Sequence, residues 1–155
     1  MIANISSVGA WRGVAGAGLY CASKWAVSAL SETMVLELAE FGIKVCTVEP
    51  GYFRSNFLNP GNKIVAKQHI ADYDGTAARK GAAMMDAYDN NQPGDIEKGA
   101  KVIIDVLTDG TPGREFPARL VLGRDSSMMI RAKCEETVKL LDEWKEVSFS
   151  TDLDE

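Results

Sequence analysis

Three side chains within the first twenty-four residues have the types and the spacing for proton transfer at an oxygen atom: Ser7, Tyr20 and Lys24. Tyr20 and Lys24 stand four residues apart, so a helix beginning near Tyr20 puts both on one face, about 5 to 6 Å apart at their Cβ atoms. An ammonium at that distance favours phenolate over phenol. It is expected to draw the tyrosine down from its free pKa of about 10 toward neutrality, where a phenol gives and takes protons readily. Ser7 follows the strand-like run Met1 to Ile5. Its hydroxyl both donates and accepts, and the carboxyl end of a strand is where ligands gather in open α/β sheets. The three groups can therefore meet at one substrate oxygen.

Ser7 followed thirteen residues later by Tyr20-Cys-Ala-Ser-Lys24 resembles the active site of the short-chain dehydrogenase/reductase family. Tyr-x-x-x-Lys alone is common on amphipathic helices, as a buried ring beside a solvated charge. Here Asn4-Ile-Ser-Ser7 precedes it and Pro50-Gly51 follows. The resemblance implies that Ser7 holds the substrate oxygen and that Tyr20 passes the proton. Lys24 is implied to lower the Tyr20 pKa and to bind the nicotinamide ribose. Pro50-Gly-Tyr-Phe-Arg-Ser55 resembles the family's Pro-Gly-x-x-x-Thr segment, with serine in place of threonine. By that likeness Pro50, Gly51, the Phe53 main chain and Ser55 line the pocket for the nicotinamide carboxamide, alongside Tyr20 and Lys24. The implied cofactor is NAD or NADP. The implied activity is hydride transfer between that cofactor and a small apolar carbonyl or alcohol substrate.

A different phosphate site is also conceivable in Gly13, Gly16 and Gly18, with Glu49 binding ribose hydroxyls. The spacing is G-x-x-G-x-G rather than G-x-G-x-x-G, and about a dozen residues part strand from helix where the fingerprint needs a tight turn.

The elements that must position these groups read as half of a doubly wound sheet. Ile2 to Ser6, Ile43 to Val48 and Arg119 to Gly123 have the β-branched, apolar character of buried parallel strands. Tyr20 to Phe41 carries apolar residues at helical spacing and ends at Gly42. The small residues Ala22, Ser23, Ala26 and Ser28 suit close packing on its first turns. Trp25, Leu30 and Met34 are candidates for core and for a homo-oligomer interface through the Tyr20–Phe41 helix, with core the expected fate. Asn56 to Gly75, including Val65, lacks clean periodicity and reads as a substrate lid. Helices are expected over Thr76 to Tyr88, over Ile96 to Thr108 with Asp95 as N-cap, and over Arg124 to Lys145. The last should bury Ile130, Cys134, Val138, Leu141 and Trp144. The predicted class is thus α/β, a partial doubly wound parallel sheet of Rossmann-like type, second half only. One domain is expected over residues 1–150, with an acidic tail over 151–155.

Composition narrows the function classes. The 155 residues are 46% hydrophobic and 25% charged, ordinary globular values. A net charge of -5 argues against a nucleic-acid surface, which needs clustered Lys and Arg. No apolar run reaches the ~18 residues that span a bilayer, so no membrane partner and a cytoplasmic location are expected. Cys21, Cys46, Cys134 and the single His69 have no metal-ligand spacing, so no metal is expected. The family's glycine-rich phosphate loop lies in its first half. The reading therefore expects a truncated product, either the catalytic half of an oxidoreductase or an inactive remnant acting as a subunit-interaction module.

Overall fold

The computed structural model describes residues 1–64, 66–108 and 111–153. Val65 of the expected lid and Asp154 and Glu155 of the expected tail lie outside them. Three strands, β1 (Ile2–Ile5), β2 (Val45–Pro50) and β3 (Arg119–Leu122), form one parallel sheet in the order β1-β2-β3. Ile2 pairs with Val45 and Ile5 with Val48, while Thr47 pairs with Arg119 and Pro50 with Leu122. The α/β class and the parallel sheet thus match the reading. β2 begins two residues later than expected and runs through Pro50.

β2 is the centre of the molecule, and every residue from Val45 to Glu49 is buried. A strand covered on both faces needs no polar alternation, which explains the near-continuous run Val-Cys-Thr-Val. β1 is covered on one face only, so Ile2 and Asn4 are half-buried while Ala3 and Ile5 are exposed.

Helix α1 (Gly18–Glu37) packs on β1 and β2. A 3₁₀ turn at Ala39–Phe41 continues it, and Gly42 stops the chain in the left-handed conformation at φ 66°. Glycine takes that conformation without the steric cost other residues meet.

The expected burial of α1 is corrected. Its buried residues are Cys21, Ser28 and Ser31, whereas Trp25 and Leu30 are 50% and 59% exposed. Of the four small residues, Ala22, Ser23 and Ala26 are exposed too. The reason is a polar ladder between α1 and β1. Asn4 Nδ2 donates to Ser31 Oγ at 2.9 Å, and the Ser6 and Ser28 hydroxyls bond at 2.8 Å. These short side chains draw helix and strand together and turn the bulky residues outward.

Helices α2 (Ala77–Tyr88) and α3 (Ile96–Thr108) follow a segment of turns. Asp95 caps α3 as expected, its Oδ1 accepting from the N–H groups of Glu97 and Lys98. Helix α4 (Arg124–Glu143) starts one residue after β3, and a short α5 (Lys145–Phe149) follows Trp144. The expected buried stripe on the C-terminal helix is also corrected. Cys134, Val138, Leu141 and Trp144 are exposed, and only Ile130 is partly covered. Cys134 and Val138 border an open cavity that Ala10, Trp11 and Trp25 also line, so they face a gap and not a packed partner. No helix of the described residues is long and apolar enough to cross a membrane.

Candidate active site

Ser6 and Ser7 continue β1 in extended backbone, so their side chains point to opposite sides. Ser6 faces α1, where its hydroxyl meets Ser28 and donates to the Lys24 carbonyl at 3.1 Å. Ser7, at φ -169°, faces the other way and accepts from Gly9 N–H at 3.0 Å, capping a 3₁₀ turn at Val8–Ala10. That bond uses the oxygen of Ser7 and leaves its O–H to donate.

Tyr20 lies in the first turn of α1 and Lys24 one turn later. Lys24 Nζ donates to the Ile5 carbonyl at 3.0 Å and stands 5.8 Å from the centroid of the Tyr20 ring. Gly9 brings Ser7 and Tyr20 together. A Cβ at Gly9 would stand 3.2 Å from Tyr20 Cε1 and 3.5 Å from Ser7 Oγ, so both groups border one small space that only a glycine leaves open. The three candidate residues therefore form one cluster. Tyr20 is 37% exposed and its ring faces Phe57 at 5.9 Å.

Pro50 and Gly51 carry the chain from the end of β2 into a bridge between Phe53 and Gly94. In that bridge Gly94 N–H donates to the Tyr52 carbonyl at 2.9 Å, and Arg54 N–H donates to the Gly94 carbonyl at 2.8 Å. The main-chain N–H and C=O of Phe53 make no hydrogen bond among the described residues. Its ring turns away and packs against Gly94 and Gly99. The Ser55 hydroxyl accepts from Phe57 N–H at 3.4 Å and so shapes the turn that presents Phe57 beside Tyr20.

Glu49 does not stand at the site. It is wholly buried, accepting from Trp11 Nε1 at 2.8 Å and Ser28 Oγ at 3.1 Å and pairing with Arg119. Arg119 in turn lies over the Trp11 ring and bridges to Glu32. Glu49 is thus committed to the core and unavailable to a ribose. Gly16, at φ 81°, abuts the Ala78 carbonyl, and Gly18 is already inside α1. The alternative glycine-loop reading is set aside on both counts.

Two neighbouring acids are held neutral. Burial pushes the Tyr52 phenol above its ordinary value, the nearby Arg12 working against this and Tyr88, Asp125 and Tyr20 adding to it. Burial likewise raises the Cys46 thiol, opposed by a backbone hydrogen bond from Leu120 and aided by Glu49.

Phe57 falls within the expected lid, whereas Gly9 and Asp125, whose carboxylate accepts from Tyr52 N–H, were not singled out in the sequence. A glycine two residues after Ser7 was a usable signal for the former. Asp125 is 73 residues from Tyr52, and nothing local marks it.

Known proteins resemble this chain in sequence and in fold. The family described as short chain dehydrogenase matches residues 1–64. A 3-ketodihydrosphingosine reductase of Bacteroides thetaiotaomicron is 48% identical over 61 residues, 39% of this chain and 23% of that protein. Oxidoreductase BOA17 of Botryotinia fuckeliana is 28% identical over 151 residues, 97% of this chain and 52% of its own length. A crystal structure of a short-chain dehydrogenase from Streptomyces avermitilis superposes with a TM-score of 0.76 at 34% identity, covering 97% of this chain and 52% of that one. The chain thus spans about half the length, or less, of the relatives it matches. Residues 1–64 thus match the short chain dehydrogenase family in sequence, and nearly the whole chain matches a solved short-chain dehydrogenase in fold.

Proposed function

We propose that Ser7, Tyr20 and Lys24 are the proton-transfer site of an oxidoreductase that interconverts a small apolar ketone or aldehyde and its alcohol with NAD or NADP. The observation that carries this reading is the convergence over Gly9, where Ser7 Oγ and Tyr20 Cε1 lie within 3.5 Å of one point and Lys24 stands one helical turn away. Ser7, its oxygen engaged by Gly9 N–H, donates its O–H to the substrate oxygen. Tyr20 gives its phenolic proton to that oxygen in reduction and takes it back in oxidation. Lys24 keeps a cation beside the ring, and its bond to Ile5 holds it there. A bound nicotinamide supplies or accepts the hydride. The free N–H and C=O of Phe53 and the O–H of Ser55 suit its carboxamide, and the spare N–H bonds of Lys24 suit the ribose hydroxyls. Phe57, Ile64, Ile70 and Tyr73 expose apolar surface in the turn-rich segment after Ser55, which favours an apolar substrate.

A second reading is favoured by β1, which pairs on one side only among the described residues and leaves Ile5 55% exposed. An open strand edge pairs readily with another chain. On this reading the chain is a subunit-interaction module without catalysis. The exposed Trp25 and Leu30 make the outer face of α1 the surface for a homo-oligomer.

Tyr20→Phe separates the two. In the intact or complemented enzyme it should lower kcat by roughly 10² or more, the scale of general acid–base catalysis, with the KM for cofactor nearly unchanged. Near-normal turnover in Tyr20→Phe would falsify the catalytic reading.

A further inference from the structure

The turn after β2 is gripped by residues from the far end of the chain. Gly51 N–H donates to the Leu122 carbonyl at 2.8 Å, and Tyr52 N–H donates to Asp125 Oδ2 at 2.7 Å. Ser126 Oγ, fully buried, donates to the Glu49 carbonyl at 3.3 Å. Three main-chain groups within four residues are thus fixed by the end of β3 and the first turn of α4. Space for the grip is made by two glycines. A side chain at Gly51 or at Gly123, which sits at φ 98°, would run into the Asp125 carboxylate.

We propose that Asp125 is a positioning residue for the Pro50–Ser55 segment, so that α4 decides where the free main-chain groups of Phe53 point. The proposal rests on the cofactor role given to that segment above. The bond from Tyr52 N–H is the short, charge-assisted kind, and a carboxylate in the first turn of a helix is favoured by the helix dipole. Without Asp125, Tyr52 N–H has no other partner among the described residues. Gly51 beside it is then free to explore backbone that other residues avoid. Phe53 is the next residue along, so loss of the grip is felt directly at its N–H and C=O.

The test has two readouts. In the 155-residue chain, Asp125→Ala should speed amide hydrogen exchange at Tyr52 by roughly tenfold or more, the scale of a lost hydrogen bond to a charged group. Exchange at Cys46 and Thr47 should not change. Asp125→Asn keeps an acceptor oxygen and should fall in between. In the intact or complemented enzyme, Asp125→Ala should raise the KM for nicotinamide cofactor by about tenfold while kcat stays within about threefold.

Unchanged exchange at Tyr52 overturns the proposal, as does a fall in kcat with an unchanged cofactor KM. If Asp125→Ala does not fold, Gly51→Ala presses a methyl into the same carboxylate and must loosen the same amide. An intact enzyme without nicotinamide turnover removes the cofactor role of the segment. Exchange at Tyr52 then still decides whether Asp125 holds the turn.

Discussion

Lys24 Nζ donates to the carbonyl of Ile5 at 3.0 Å, which ties the second turn of α1 to the last residue of β1. The bond lets one side chain do two jobs. It anchors the helix beside Ser7, and it holds a cation 5.8 Å from the Tyr20 ring. Lys24→Met removes both and should lower kcat by about 10² while also weakening cofactor binding. Steady-state kinetics on the intact or complemented enzyme read both effects. A Lys24→Met enzyme with normal cofactor affinity would show that Lys24 does not touch the ribose.

Gly9 separates packing from chemistry. A methyl there meets Tyr20 Cε1 at 3.2 Å, a contact the ring must yield to by a few tenths of an ångström. The ring is partly exposed and has room to move, so Gly9→Ala should cost no more than about 1 kcal/mol of stability. A displaced phenol is costly for proton transfer, and kcat should fall roughly tenfold or more. Urea denaturation and turnover, measured on the same variant, must diverge in this way.

Glu49 is a structural residue, and its loss should appear as instability. Glu49→Ala leaves Trp11 and Ser28 without their acceptor and Arg119 with Glu32 as its remaining carboxylate. Leaving a buried donor without its acceptor costs about 1 to 3 kcal/mol. Chemical denaturation should show a loss of that order. A loss under about 1 kcal/mol would mean that water replaces the carboxylate.

Alkaline stability depends on Tyr52 and Cys46. Both hold their protons more tightly in the folded chain than their ordinary values of 10.0 and 9.0. The folded state therefore binds more protons than the unfolded one once pH passes those values. Their contribution is intact below pH 9 and is lost as pH rises through the raised folded values. Tyr52→Phe should leave neutral stability nearly unchanged and reduce the decline above pH 10 by at most about 1.4 kcal/mol per pH unit. Melting temperatures at pH 8 and above pH 10 measure it. Thiol alkylation gives an independent check, because Cys134 is exposed while Cys21 and Cys46 are buried. The folded chain should lose one thiol rapidly and the other two only on unfolding.

Residues 1–155 on their own should bind NADH or NADPH weakly, at millimolar Kd or worse. Dinucleotide affinity in such folds comes largely from a pyrophosphate on a glycine turn at a helix N-terminus. The glycines ahead of α1 do not form that turn, since Gly16 is pressed on Ala78 and Gly18 is helical. Each 1.4 kcal/mol of lost contact is tenfold in Kd. A fusion with the N-terminal half of a family member ahead of Met1 should bind the dinucleotide more tightly and turn over an apolar ketone or aldehyde. Micromolar binding of NADH by residues 1–155 in calorimetry would refute this and restore the Gly13–Gly18 loop as a phosphate site.

What the sequence determined by itself was local. β-branched runs marked three strands, and Gly42 and Asp95 marked the end of one helix and the start of another. The four-residue step from Tyr20 to Lys24 put two candidate groups on one face, because helical geometry is set by the backbone and carries over from one chain to the next. Tertiary structure decided the rest. Trp25 and Leu30 look like core residues to any periodicity argument. They face outward because Asn4, Ser6, Ser28 and Ser31 form hydrogen bonds that fill the space between β1 and α1. The partnership of Glu49 with Arg119 and that of Tyr52 with Asp125 join residues 70 and 73 positions apart. Such contacts leave no periodic trace, since they depend on which strand ends the sheet brings together and not on the residues beside them in the chain.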